Sequence, residues 1–127
     1  MVDVVAAYIE KDGKFLIAQR ASGEFKGLWE FPGGKVEINE SDEEAIEREI
    51  REELEINIKA QEFIISNVSM TGNKGINLKL YRCKYIDGDI KLNEHLKYKY
   101  IKIDEADNFK FCPVDIKIIA YLKDKEF

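Results

Sequence analysis

Two β-like runs open the chain. Val2 to Glu10 is rich in β-branched residues and half alternating, and Phe15 to Arg20 resumes the apolar pattern after Lys11-Asp12-Gly13-Lys14. Asp-Gly between two such runs is the strongest short-range hairpin signal, so a hairpin is predicted here. Ala21 to Glu30 carries Ser22, Gly23 and Gly27 with little periodicity and reads as a surface loop. Leu28 to Gly34 reads as a short extended piece ending in a turn at the glycine pair.

The period then changes. Ser41-Asp42-Glu43-Glu44 has the form of a capping box, and its acids suit the positive end of a helix dipole, so a helix is predicted from Ser41 to Leu54 or Glu55. Ile58 to Met70 reads as a strand with an irregularity near Gln61-Glu62, and Thr71 to Gly75 as a turn. Ile76, Leu78 and Leu80 alternate with Asn77, Lys79 and Tyr81, which predicts another strand. Asp87-Gly88-Asp89 marks a turn, and Tyr98 to Ile103 a further short strand. Pro113 opens a final helix whose Val114, Ile118 and Leu122 are spaced four apart. Strands and helices mix without a regular βαβ beat, so the expected fold is a mixed α/β sheet with helices on its faces.

Composition narrows the classes of function. At 127 residues the chain suits a single domain spanning 1–127, and its 45% hydrophobic and 35% charged residues are those of a globular protein. There is no apolar run of membrane-spanning length, and no basic segment followed by an apolar one at the N-terminus. Cys83 and Cys112 share no metal-ligand spacing and are expected to be buried and reduced, which suits the cytoplasm. A net charge of −5 argues against a nucleic-acid polymer as partner, while phosphate substrates stay open if a metal supplies positive charge.

The candidate chemistry lies in the first helix. Glu49, Glu52 and Glu53 stand at i, i+3 and i+4, where like charges repel. Counting about 100° per residue from Ile46 sets all three among or beside the inward-facing Ala45, Ile50, Leu54 and Ile56. On the same count Glu44, Glu47, Arg48, Arg51 and Glu55 face solvent, where Glu44/Arg48 and Glu47/Arg51 are expected to pair. The outer charges need no ligand. The inner carboxylates suit Mg2+ or Mn2+, which prefer oxygen donors and bridge to phosphates.

Gly34, five residues, Glu40, seven residues, then Arg48-Glu49-Ile50-Arg51-Glu52-Glu53-Leu54-Glu55-Ile56 resembles the Nudix box, matching its fixed positions except that Glu55 replaces a glycine. Leu16-Ile17-Ala18-Gln19-Arg20 and Gly27-Leu28-Trp29-Glu30-Phe31 are similar to the MutT-like branch, which includes bacterial CTP pyrophosphohydrolases. The resemblance implies an α/β/α sandwich that hydrolyses nucleoside triphosphates to the monophosphate and pyrophosphate, acting as monomer or homodimer. It implies that Glu49, Glu52 and Glu53 hold divalent cations with the Gly33 carbonyl, and that the base is one of Glu53, Glu49 and Glu94. Glu94-His95 resembles the family's Glu-His segment before an aromatic strand, where the glutamate is a further ligand or base. Arg48 resembles the arginine that orients acids, with Glu40 in the loop as its expected partner. Arg20 resembles an arginine that meets the nucleotide, and Lys74 is a candidate second positive contact.

Phe31 resembles a residue bordering the base pocket, and Asp115 stands where such enzymes place a base-reading residue. A carboxylate only accepts hydrogen bonds, which favours guanine or oxidised guanine, whereas the branch leans towards cytosine. The base stays open on these grounds. ADP-ribose hydrolysis is the nearest alternative, but the proline typical of that branch is absent around Met70-Thr71-Gly72. A non-catalytic nucleotide-binding domain is a second alternative, although such domains typically lose box acids retained here. Glu55 in the glycine position implies either a strained left-handed residue or a longer helix that turns at Asn57.

Overall fold

A computed structural model describes residues 1–71 and 73–125, with only the backbone of Thr71 described. Of the expected Thr71–Gly75 turn, Gly72 therefore lies outside the described residues.

The hairpin forms as expected. β1 (Val2–Lys11) and β2 (Lys14–Arg20) pair at Glu10↔Phe15 and Lys11↔Lys14, with Asp12 and Gly13 both at positive φ. Beyond that turn the two strands part. β1 takes β4 (Gly33–Lys35) as antiparallel neighbour at Val4, Val5 and Ala6, while β2 pairs with β3 (Trp29–Glu30) and β7 (His95–Ile101). The cleft described below opens where the strands diverge.

Gly33 and Gly34 thus lie in a strand rather than at a turn. A Cβ on Gly33 would overlap the Val5 carbonyl, so only glycine allows β4 to come this close to β1.

On its other side β1 runs parallel to β6 (Lys74–Asp87), which pairs with β5 (Asn57–Thr71). Register shifts between Ala60, Phe63 and Ile65 bracket the irregularity expected at Gln61-Glu62. β7 starts three residues earlier and ends two residues earlier than expected. A 3-10 helix at Ile103–Asn108, which the sequence pattern did not indicate, follows it.

The centre of β1 is buried on both faces, so its pattern is continuous rather than alternating. Val5, Ala7 and Ile9 pack with Ala45, Ile46, Ile50 and Leu54 of α1 (Asp42–Leu54). Ala6 and Tyr8 pack with Phe15, Phe31 and Ile118, Ile119 and Leu122 of α2 (Pro113–Asp124). The fold is the expected mixed sheet with a helix on each face. Among the described residues, no helix is long and apolar enough to cross a membrane.

The capping box is present at Ser41 and Glu44. Glu55 ends α1 at φ 57° and ψ 32°, so the left-handed option holds and the helix does not extend to Asn57. Its N–H bonds the Arg51 carbonyl, and its carboxylate accepts from Asn93 Nδ2 at 3.0 Å. The expected outer pairs Glu44/Arg48 and Glu47/Arg51 do not form among the described residues. Glu44 is taken by the Ser41 backbone, and Glu47 bonds the Ala60 N–H beside Lys59.

Candidate active site

α1 presents its acids to the splayed end of the β1–β2 hairpin, where a cleft of about 670 Å3 lies. Glu49, Glu53, Glu94, Gly33, Gly34, Arg20, Phe31 and Asp115 all line it. Lys74, at the exposed start of β6, does not. Glu52 also lies outside it, with its side chain 57% exposed, because the end of the helix turns that position towards solvent.

Glu53 is the most deeply buried of the α1 acids, at 3% exposure. Burial, then the carboxylates of Glu30, Glu49 and Glu94, push its pKa to about 9, while a Gly33 N–H bond opposes the shift. Glu53 Oε2 is buried without a partner among the described residues. Glu49 is also raised, chiefly by burial, with Arg48 holding it back. A Cβ on Gly34 would overlap the Glu49 carboxylate, so the second glycine makes room for an acid as the first makes room for a strand.

Arg48 does not point away into solvent. Its side chain is 19% exposed and folds over the first turn of the box. Nε and Nη2 bond the two Glu40 oxygens at 2.7 and 2.9 Å, Nη1 bonds Glu49 at 2.9 Å and Glu52 at 3.2 Å, and Nη2 also bonds the Lys35 carbonyl. A long side chain can reverse the direction its Cα position suggests. Glu40 is thereby held down at about 2, chiefly by the Arg48 hydrogen bonds.

At the other end of the cleft, Asp115 lies in the first turn of α2, 1% exposed, and accepts from the Phe31 N–H at 3.2 Å. Burial, then the Glu30 carboxylate, hold its pKa well above the usual range. Phe31 itself is 2% exposed and stacks on Phe15, so its ring is core and its backbone borders the cleft. Cys112 also lines this end, and burial pushes its thiol up to about 12, so it behaves as a small apolar group. Cys83 and Cys112 are free and buried, as expected.

A model of the NUDIX domain matches residues 1–122. The chain belongs to the Nudix family. The Escherichia coli CTP pyrophosphohydrolase is 39% identical over 120 residues, covering 94% of this chain and 89% of that protein. The nucleoside triphosphatase NudI of Escherichia coli is 30% identical over 121 residues, covering 80% of this chain and 82% of that one. Among solved structures, the MutT protein of Methanosarcina mazei superposes with a TM-score of 0.85 at 26% identity, covering 98% of this chain and 94% of that one. In this Nudix chain the box glycine Gly34 and the box acids Glu49 and Glu53 thus meet at the cleft through β4 and α1.

Glu30 and His95 were not singled out as functional from sequence. Glu30 is 2.9 Å from His95 Nε2 and 3.1 Å from Arg20 Nη1. The available signals were faint: Glu30 directly precedes Phe31, and His95 is the chain's one histidine, directly after Glu94.

Proposed function

We propose that this chain is a metal-dependent pyrophosphohydrolase that cleaves nucleoside triphosphates to the monophosphate and pyrophosphate, with cytidine nucleotides preferred. The observation that carries the reading is Glu53, a buried carboxyl with one unpartnered oxygen, set among Glu30, Glu49 and Glu94 in a cleft that also holds Arg20. A cation fits this set. The donors are oxygens, they repel one another, and Arg48 relieves only the Glu49 side. Glu49, Glu53 and Glu94 would hold Mg2+ or Mn2+ with the Gly33 carbonyl, while Glu52, turned to solvent beside Arg48, would have to swing inward to join them. Bound there, the cation neutralises phosphate charge and acidifies water.

The protein's own groups supply positioning and proton transfer. Arg20 offers its guanidinium to phosphate at the mouth between β2 and β3. Glu53 has the burial expected of a group that holds and releases a proton near neutral pH, which favours it as base over the exposed Glu94. Arg48 aligns Glu49 through a rigid bidentate hold on Glu40.

The state of Asp115 bears on the base. A carboxylate would set its acceptors against cytosine N3, but burial beside Glu30 favours the neutral acid. A carboxylic acid offers one donor and an acceptor, matching N3 and the amino group of cytosine. The objection to cytosine therefore lapses, and the 39% identical relative named for CTP supports that class.

The test is a turnover screen of CTP, dCTP, 8-oxo-dGTP, the ordinary dNTPs and ADP-ribose with Mg2+ or Mn2+. The expected result is monophosphate and pyrophosphate from CTP or dCTP. Strong preference for ADP-ribose would overturn the substrate assignment.

A further inference from the structure

The β2–β7 ladder carries an irregularity where the cleft needs it. Gln19 pairs with Lys97 but Arg20 pairs with His95, so β7 has one extra residue, Leu96, at this point. Such a bulge re-aims the side chains beside it. Here it sets Arg20 and His95 opposite each other, with Glu30 of β3 between them. Each Glu30 oxygen is taken by a different strand: Oε1 by Arg20 Nη1 at 3.1 Å, and Oε2 by His95 Nε2 at 2.9 Å.

We propose that His95 is a positioning residue that clamps Glu30 from behind, and so fixes the orientation in which Arg20 meets the nucleotide phosphates. This rests on the nucleotide reading given above.

Three observations favour a clamp over a surface contact. First, the His95 side chain is 2% exposed and that of Glu30 16%, so losing the bond would leave a part-buried carboxylate oxygen short of its donor. Second, a carboxylate oxygen only accepts, so Nε2 carries a proton, and Nδ1 is left buried without a partner among the described residues. Among the described residues, Glu30 is thus the hydrogen-bond partner that orients the ring. Third, Glu30 stands at a junction. Its carboxylate lies within 4.8 Å of the Cys112 sulfur and an Asp115 oxygen, while Glu53 Oε1 lies 3.9 Å from the His95 Nε2 that holds Glu30. A second polar recess of about 410 Å3, lined by Arg20, Ser22, Glu30, Asn93 and His95 among others, lies on this side. Releasing Glu30 would let it swing into that recess and take Arg20 with it.

Glutamine can place an amide N–H where His95 has Nε2–H, whereas asparagine reaches only as far as Nδ1. The experiment compares the wild type, His95→Gln and His95→Asn for CTP kinetics with Mg2+, with thermal melts as a check on folding. Binding of the non-hydrolysable α,β-methylene analogue of CTP is measured by calorimetry. His95→Asn should raise KM and the analogue Kd about 10-fold or more, with kcat within about threefold of wild type. His95→Gln should restore both constants to within about threefold of wild type. NMR of the wild type should show the ring nitrogens of an Nε2–H tautomer.

The proposal is overturned if His95→Asn binds the analogue as wild type does, or if kcat falls at unchanged KM as misfolded protein accumulates. It is also overturned if His95→Gln is as weak as His95→Asn, or if the ring carries its proton on Nδ1. Failure of the nucleotide reading shows up separately: the wild type itself would then neither turn over CTP nor bind the analogue.

Discussion

Arg48 grips Glu40 with two parallel hydrogen bonds, Nε to Oε2 at 2.7 Å and Nη2 to Oε1 at 2.9 Å. This pair ties the loop after β4 to the middle of α1, and the remaining Arg48 nitrogen reaches Glu49. Lysine cannot reproduce such a fork. Arg48→Lys and Glu40→Gln are each expected to lower kcat/KM by about 10- to 100-fold, the range for groups that orient metal ligands, while the fold persists. The pair also predicts an acid limb. Glu40 titrates near 2 in the folded protein against an ordinary 4.5, so its stabilisation is full above 4.5 and is lost as pH falls towards 2. Chemical denaturation of wild type and Glu40→Gln between pH 6 and 3 checks this: the variant should lose less stability over that range.

Glu53 has the opposite sign. Its folded value of about 9 lies above the ordinary 4.5, so the folded protein prefers the proton-bound form. Stability from this group is full below 4.5 and declines as pH rises towards 9. In metal-free protein Glu53→Gln should therefore flatten the loss of Tm between pH 6 and 9. A cation competes for the same oxygens, so Mn2+ affinity of the wild type should rise with pH over this window. The variant should lose most of that binding, and kcat should fall by about 10^2- to 10^4-fold. Melts with and without Mn2+ and single-turnover rates read out both effects.

The adjacent glycines are predicted to fail in different ways. Alanine at Gly33 would drive a methyl into the Val5 backbone, which cannot yield without breaking the β1–β4 pairing. Alanine at Gly34 meets instead the Glu49 side chain, which can move. Gly33→Ala should lower Tm markedly, in line with the roughly 1–3 kcal/mol of overpacked cores. Gly34→Ala should leave Tm within a few degrees of wild type and lower kcat by displacing Glu49. Melting curves beside kcat separate the two.

Local signals were legible in the sequence, and tertiary ones were not. Asp12-Gly13 and the Ser41–Glu44 box act within a few residues, and both stand where they were expected. The strand character of Gly33-Gly34 depends on the distant Val5 and Ala6, so two glycines in a row resembled a turn. The early start of β7 depends on a bulge that only pairing with β2 defines. The helical count separated inner from outer acids usefully, but it follows Cα directions and not long side chains. Arg48 therefore folds back against the site, while Glu52 drifts out. Glu55 accepts a left-handed backbone, with its carboxylate tied to Asn93 in the loop before β7. Glu30 and His95 gain their meaning only when β2, β3 and β7 come together.

Asp115 offers the sharpest test of how the base is read. It is buried beside Glu30, and one of its oxygens accepts from Phe31 N–H. If the acid is neutral, asparagine is its close mimic, because an amide also combines donors with an acceptor and carries no charge. Its oxygen can keep the Phe31 bond while its NH2 faces cytosine N3. Asp115→Asn is therefore expected to hold KM for CTP within about 10-fold of wild type. Asp115→Ala removes both partners and leaves the Phe31 N–H buried and unpaired, a cost of about 1–3 kcal/mol for each stranded group. KM for CTP in that variant should rise by more than 10-fold. Were Asp115 a carboxylate reading guanine donors, Asp115→Asn would instead turn donors against the guanine N1–H, and its activity on guanine nucleotides would fall furthest. Steady-state KM values for CTP, dCTP and 8-oxo-dGTP in the three proteins decide between the two protonation states.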